Sequence, residues 1–501
     1  MNWRGHKLRE VRLATLVFPP FGLTLLWLSR QIKAGRKLFG TLWTLLYSLI
    51  YAGLIIALLM FFTGLEIEWR GGYPPTFTYH KTKPNYDAVE KNRAAQAASP
   101  PRTSSAPRPS DSARPYWTDF RGPNRDGHYD EQPILDRWPG SGLKLLWRQP
   151  IGGGYASFTV AQGNAFTIEQ RRDDEAIVAY DIATGREAWV HRYPAHFEES
   201  MGGDGPRATP TWNEGRIFSL GAMGDLICLD AADGKVIWKL DLVTENQTTN
   251  LYYGMAGSPL IVDDKVIVQP GAGRNNAIVA YKKTTGAPVW KSVDDPGAYS
   301  SPMLVELAGQ RQLLVVTAQR ALGLRIEDGK MLWSFPWIVQ MNNRNVAQPV
   351  ALGPNRFLLS AGYGTGCAAI QIDRVGTGFS AREVWRNKNL KNKFTSSVFS
   401  NGYVYGLDED ILTCLDAASG ERKWKDGRYG YGQLLVAGDF LVVLTSEGQL
   451  ALVRATPERH EELARFQAIQ GKTWNYPALA HGKIFVRNAA EMACYEIAPL
   501  H

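Results

Sequence analysis

The chain has 501 residues, a formal net charge of +8, 16 tryptophans and 49 glycines. The basic excess sits at the front: residues before 38 carry +7 and residues 70–115 carry +5, while everything from 116 onward sums to −2. A near-neutral main body offers no basic stripe for a phosphate backbone, which argues against a nucleic-acid partner, and the four cysteines lack the CxxC or CxxCH spacing of a metal site or attached haem.

The first 37 residues form a basic segment with a short apolar stretch at 13–28 that contains Pro19-Pro20. Basic residues flank it on both sides, so it reads as a re-entrant or interfacial element. Residues 38–65, LFGTLWTLLYSLIYAGLIIALLMFFTGL, are uncharged. They exceed the ~20 residues that cross a bilayer and the ~7–15 apolar residues of a cleavable signal. An uncleaved transmembrane helix is expected. Arg30, Lys33, Arg36 and Lys37 precede it and Glu66 and Glu68 follow it. That asymmetry predicts a single pass through the inner (plasma) membrane, with a cytoplasmic N-terminus and a periplasmic main body. Residues 66–115, rich in Pro, Ala and Ser, are expected to be a disordered linker.

From Tyr116 one pattern recurs: an apolar strand, an Asp, a Gly turn and a Trp. It reads AYDIATGREAW to Trp189, CLDAADGKVIW to Trp238, AYKKTTGAPVW to Trp290, LRIEDGKMLW to Trp333 and CLDAASGERKW to Trp424. A degenerate copy ends at Trp385, and another places Phe466 where the Trp is expected. The spacing of about 40 to 50 residues is that of propeller blades. Most hairpins follow a strand opening on a polar or aromatic residue and Pro, as at Thr209-Pro210, Ser258-Pro259, Ser301-Pro302, Gln348-Pro349 and Tyr476-Pro477. A lone Trp147 strand at the front complements final strands that lack a closing Trp. The expected fold is therefore all-β: an eight-bladed propeller over 116–499, its last blade closed by Leu143–Gln149 pairing with Met492–Ile497.

This repeat resembles the PQQ-type (pyrroloquinoline quinone) repeat of eight-bladed quinoprotein dehydrogenases and of BamB-type scaffolds of outer-membrane assembly. The resemblance spans roughly Tyr116 to Pro499. WTDFRGPNRDG (Trp117–Gly127) and SAGYGTGCA (Ser360–Ala368) are similar to a subgroup of such repeat proteins. The resemblance implies the fold, and two functions on it: a protein-binding scaffold, or a membrane-bound alcohol or sugar dehydrogenase using PQQ and Ca2+. The adjacent Cys-Cys pair common in the dehydrogenases is missing, as is the N-terminal lipidated Cys of a BamB-type lipoprotein, since the first cysteine is Cys228.

No residue is singled out as catalytic and no metal ligand is assigned. Gly471-Lys472-Thr473 lacks the earlier Gly of a phosphate loop, and His460-Glu461-Glu462 lacks the second His of a zinc motif. The acidic loop 192–207, with His196, Glu198, Glu199 and Asp204, is a cation candidate weighed against a solvated loop. Residues just before the inner strands form a candidate ring: Tyr155, Arg207, Tyr253, Tyr299, Arg344, Lys393, Tyr431 and Trp474. Cations among aromatics suit an anionic or planar ligand or a peptide, or simply fill and cap the axis. Together these features favour a membrane-anchored binding module with an envelope protein or peptide as partner. The quinoprotein oxidoreductase is the alternative.

Overall fold

The computed structural model describes residues 8–30, 32–71, 75–78, 82–98, 116–271, 276–340 and 344–499. The chain divides into two compact units, Met1–Lys81 and Thr82–His501.

In the first unit, α1 (Leu8–Val17) and α2 (Pro19–Leu28) pack through Val11, Leu25 and Leu26. The apolar stretch expected as one segment is thus two helices. Pro19 and Pro20 occupy the first turn of α2, where a missing N–H costs nothing. Helix α3 (Ala34–Thr63) is long and apolar enough to cross a membrane, and its leucines and phenylalanines are exposed. It ends on Gly64 in the left-handed conformation. Short strands Glu66–Glu68 and Thr76–Thr78 pair beyond it.

The second unit is an eight-bladed β-propeller of antiparallel four-stranded sheets, the seventh of which gains a short parallel fifth strand, His128–Tyr129, on its inner edge. The inner strands of blades 1 to 8 are Thr159–Ala161, Thr211–Asn213, Leu260–Val262, Met303–Leu307, Val350–Gly353, Val398–Ser400, Gln433–Ala437 and Ala478–Ala480. Blade 8 closes as the repeat predicts: Leu145–Pro150 pairs antiparallel with Glu491–Glu496, placing Trp147 opposite Cys494. No four-stranded sheet is left with one strand short, because the two termini complete each other.

The repeat residues work as a set. Asp181 and Asp416 each accept backbone N–H bonds from the two residues that open the turn. Across the outer pair each Trp faces a small residue: Ala179, Cys228, Ala280, Gly323, Ala369, Cys414 and Cys494 in turn. Cys228, Cys414 and Cys494 are free and buried, so their repeat position is explained by space for an indole. Trp147, Trp189, Trp238, Trp290, Trp385 and Trp424 then donate their indole N–H to a carbonyl of the next blade at 2.8–3.2 Å. Trp333 instead bonds Gln312 of its own blade at 2.6 Å, because the degenerate turn of blade 5 is drawn out into ten-residue strands around Gly376.

Phe466 departs from expectation. Register places Ala464, opposite Leu452, in the Trp position of blade 7, and Phe466 faces Leu450. The large and small partners have exchanged strands, yet the Phe466 ring still packs on Gly142 of the next blade. The residues preceding proline have a shared role too. The side chains of Thr209, Ser258, Ser301 and Gln348, and of Ser396 at the equivalent place before Ser397, each accept a backbone N–H of the preceding blade at 2.6–3.0 Å, tying blades together around the axis.

Within the span expected to be a disordered linker, Tyr86–Ala98 is an α-helix, α4, docked on blade 1. Arg93 is buried, pairs with Glu187 at 3.3 Å, bonds Pro150 O at 2.9 Å and lies over the Tyr180 ring. Asn92 bonds Gln149, and the Gln96 side chain accepts the Glu187 N–H. The sequence YDAVEKNRAAQAA is rich in helix formers, a local signal diluted by its Pro- and Ser-rich neighbours. The Pro-rich part, 99–115, lies outside the described residues.

Candidate functional site at the propeller mouth

All eight ring residues come together at the mouth of the axis, each half-buried. Going round, Arg207 lies over the Tyr155 ring at 5.6 Å, Tyr155 packs on Trp474 at 5.4 Å, and Trp474 on Phe394 at 4.6 Å. Phe394 packs on Tyr431 at 5.3 Å, and Lys393 sits over Tyr431 at 4.8 Å and Tyr363 at 5.1 Å. Arg344 lies over Tyr363 at 5.5 Å and Tyr253 at 4.8 Å, and Tyr253 meets Tyr299 at 5.5 Å. Cation–π contacts hold each positive head against a ring face while leaving its outer side to solvent or ligand.

Four contributors escaped the sequence reading. Phe197 stacks under Arg207 at 4.6 Å. Lys472 lies over Trp474 at 4.3 Å and donates to Gly202 O at 3.2 Å. Phe394 adjoins a ring residue and is signalled by that adjacency alone. Tyr363 belongs to SAGYGTGCA, whose glycines resemble a phosphate loop but serve a tight turn. Its φ of 57° is a left-handed conformation that a bulky residue adopts only under constraint, and it aims the ring between Arg344 and Lys393.

The second subgroup motif forms the floor. The segment around WTDFRGPNRDG crosses the axis and bonds the inner strands. Trp117 O accepts Val160 N–H at 2.8 Å, Thr118 O accepts Trp212 N–H at 2.9 Å, and Gly127 O accepts Val436 N–H at 2.9 Å. Arg125, buried, pairs with Asp119 at 2.9 Å and donates to Ser258 O and Pro302 O. Arg121, also buried, donates to Ser397 O at 2.8 Å and lies over Tyr476. Two motifs of no evident chemistry thus line the same axis, one at its mouth and one across it.

The charges at the mouth are unevenly satisfied. Arg207 pairs with Glu199 at 3.3 Å, and Lys393 with Glu409 at 3.8 Å. Burial lowers the Lys393 ammonium, opposed by Glu409 and reinforced by Arg344. Burial pushes the Tyr253 hydroxyl up to about 12. Among the described residues Arg344 and Arg121 have no carboxylate within 4 Å, and the buried Arg344 Nε, Arg121 Nε, Tyr253 hydroxyl and Trp474 indole N–H find no hydrogen-bond partner.

The acidic loop does not assemble a cation site. Glu199 accepts the Met201 N–H and pairs with Arg207, Asp204 accepts the Tyr86 hydroxyl at 2.8 Å, and Glu198 is exposed. Among the described residues no three His, Cys, Asp or Glu side chains gather as a metal cage. A Ca2+-bound quinone needs several oxygen ligands beside its stacking ring. The mouth's carboxylates, Glu199 and Glu409, are already engaged by cations, so its donor set does not fit that group.

Residues 173–426 match the family described as outer membrane protein assembly factor BamB. The chain belongs to this family. BamB of Shewanella oneidensis is 26% identical over 157 residues, covering 29% of this chain and 36% of that protein. The quinohemoprotein alcohol dehydrogenase ADH IIB of Pseudomonas putida is 30% identical over 146 residues, 26% of this chain and 20% of the enzyme. The chain therefore spans only about a fifth to a third of these relatives. Among solved structures, BamB from Moraxella catarrhalis superposes with a TM-score of 0.51 at 16% identity, over 72% of this chain and 99% of that one. The quinohemoprotein ADHIIG from Pseudomonas putida HK5 gives 0.54 at 12% identity, over 78% and 81%. At such identities the likeness is one of fold, which BamB and the dehydrogenases share.

Proposed function

We propose that this BamB-family chain is a membrane-anchored binding module that holds a protein partner of the cell envelope at the propeller mouth. In this reading α3 is the single-pass anchor. The basic residues before it stay cytoplasmic, and the propeller works on the periplasmic side. The observation that carries the proposal is the mouth itself: among the described residues, four cations set on aromatic faces, Lys472 buried and the other three partly buried, with buried polar atoms left unpaired. Such a surface recognises a ligand, and among the described residues it gathers no nucleophile–base pair to transform one. The dehydrogenase alternative draws on the names of relatives and on no feature of the mouth.

The test is direct. The full chain, purified in detergent and supplied with PQQ and Ca2+, should show no dye-linked oxidation of short alcohols or aldose sugars. Chemical cross-linking in intact envelopes should recover one reproducible protein partner. Stoichiometric PQQ binding with turnover would overturn the proposal.

A further inference from the structure

Of the four cations at the mouth among the described residues, three are occupied by the protein's own oxygens. Arg207 holds Glu199, Lys393 holds Glu409, and Lys472 donates to the carbonyls of Met201 and Gly202. The last of these is further fixed from outside, because the Lys472 backbone N–H donates to Thr82 at 2.7 Å, just ahead of α4. Tyr86 of α4 ties down the same acidic loop through Asp204. Blade 1 and its strap therefore immobilise the Arg207–Lys472 side of the ring.

Arg344 is different. It stands between the rings of Tyr253 and Tyr363, has no carboxylate within 4 Å among the described residues, and keeps a buried, unbonded Nε. Tyr363, whose left-handed backbone is a conformational cost, is held where it supports both Arg344 and Lys393. Beneath the mouth Arg121 is 1% exposed, with no carboxylate within 4 Å among the described residues and with Nε and Nη1 unbonded. Among the described residues neither arginine has a carboxylate in contact, although Asp126 lies near enough to Arg121 to act on its charge. A partly buried guanidinium with no anion beside it is costly, and a mouth that retains one is built for an anion that arrives from outside. The segment across the axis closes the floor to a chain threading through, so the ligand docks on the mouth and its aromatic rim.

We infer that the mouth binds an acidic peptide segment, with Arg344 as its carboxylate anchor and Lys393 as the second contact. The inference rests on the binding-module reading and specifies its ligand chemistry. Guanidinium–carboxylate pairing supplies charge-assisted, planar recognition, and the surrounding rings pack the peptide stem.

The experiment measures binding of fluorescein-labelled hexaglutamate, hexaglutamine and hexalysine to the full chain in detergent by anisotropy. Hexaglutamate is expected to bind at least about tenfold tighter than the other two and to weaken with salt. Arg344→Gln should lower hexaglutamate affinity about tenfold or more at unchanged melting temperature, whereas Arg459→Gln, on the exposed outside, should not. If Arg344→Gln does not fold, Lys393→Gln carries the same expectation. Equal binding of hexaglutamine, or equal affinity of wild type and Arg344→Gln, overturns the inference. Envelope cross-linking separates the two levels. A partner captured equally by wild type and Arg344→Gln removes the acidic-segment inference and leaves the binding module standing, whereas no partner with wild type removes the module itself.

Discussion

At the scale of single residues, the blade repeat is a contact between neighbours. The turn glycine of one blade lies on the indole of the blade before: a Cβ at Gly234 would sit 2.5 Å from Trp189 Cε3, and one at Gly185 would sit 2.5 Å from Trp147. Gly234 has φ of 73°, and Gly215, also left-handed at 76°, has open space around it. Gly215→Ala should thus cost only the backbone strain of about 1 kcal/mol. Gly234→Ala adds overpacking and should cost about 2–4 kcal/mol. Denaturant melts of the two variants check this, and equal losses would show that the indole gives way. Glu175 makes a second prediction. It is fully buried where blade 1 meets blade 2, accepting the Ala222 N–H and the Tyr193 hydroxyl. Burial, the largest influence, raises its carboxyl from 4.5 to about 7. The folded state therefore binds the proton more tightly than the unfolded chain. This contribution is fully present below about 4.5 and is lost as pH rises through about 7, a span of roughly 3 kcal/mol. Between pH 5 and 8 wild type should lose stability relative to Glu175→Gln. A pH-independent difference would contradict the assignment.

At the scale of elements, legibility followed periodicity. The turn glycines and tryptophans repeat at fixed offsets, so the eight blades and the closure of the Trp147 strand against the final strands are legible in the sequence. Where the repeat degenerates, the reading slipped by two residues. A large aromatic stands near the expected place, but Leu452 in blade 7 fills the space that a small residue leaves elsewhere, so Ala464 takes that register and Phe466 faces Leu450. The strap was missed for a different reason. Composition averaged over 66–115 is that of a linker, and α4 is held by partners more than fifty residues away in sequence, such as Gln149 and Glu187. No local pattern reports such contacts. The mouth shows the same division. Its eight ring residues each stand shortly before an inner strand, a place the repeat marks in the chain. Tyr363, Phe197 and Lys472 reach the mouth from other positions, and only the folded chain brings them there.

At the scale of the whole molecule, a structural repeat supplies the scaffold, and function is left to what departs from it. The strap, the segment across the axis and the strained Tyr363 turn are all extra to the blade pattern, and all converge on the axial mouth or its floor. The outer edges offer a rival surface, with Val236, Ile237, Val289 and Met331 exposed along blades 2 to 4. A photo-cross-linking amino acid placed at Tyr299, on the mouth, and separately at Val289, on the outer edge, tests in intact envelopes which face meets the partner. The account predicts a discrete cross-linked protein from position 299, diminished by Arg344→Gln, and none from position 289. Cross-links from 289 with none from 299 would contradict it.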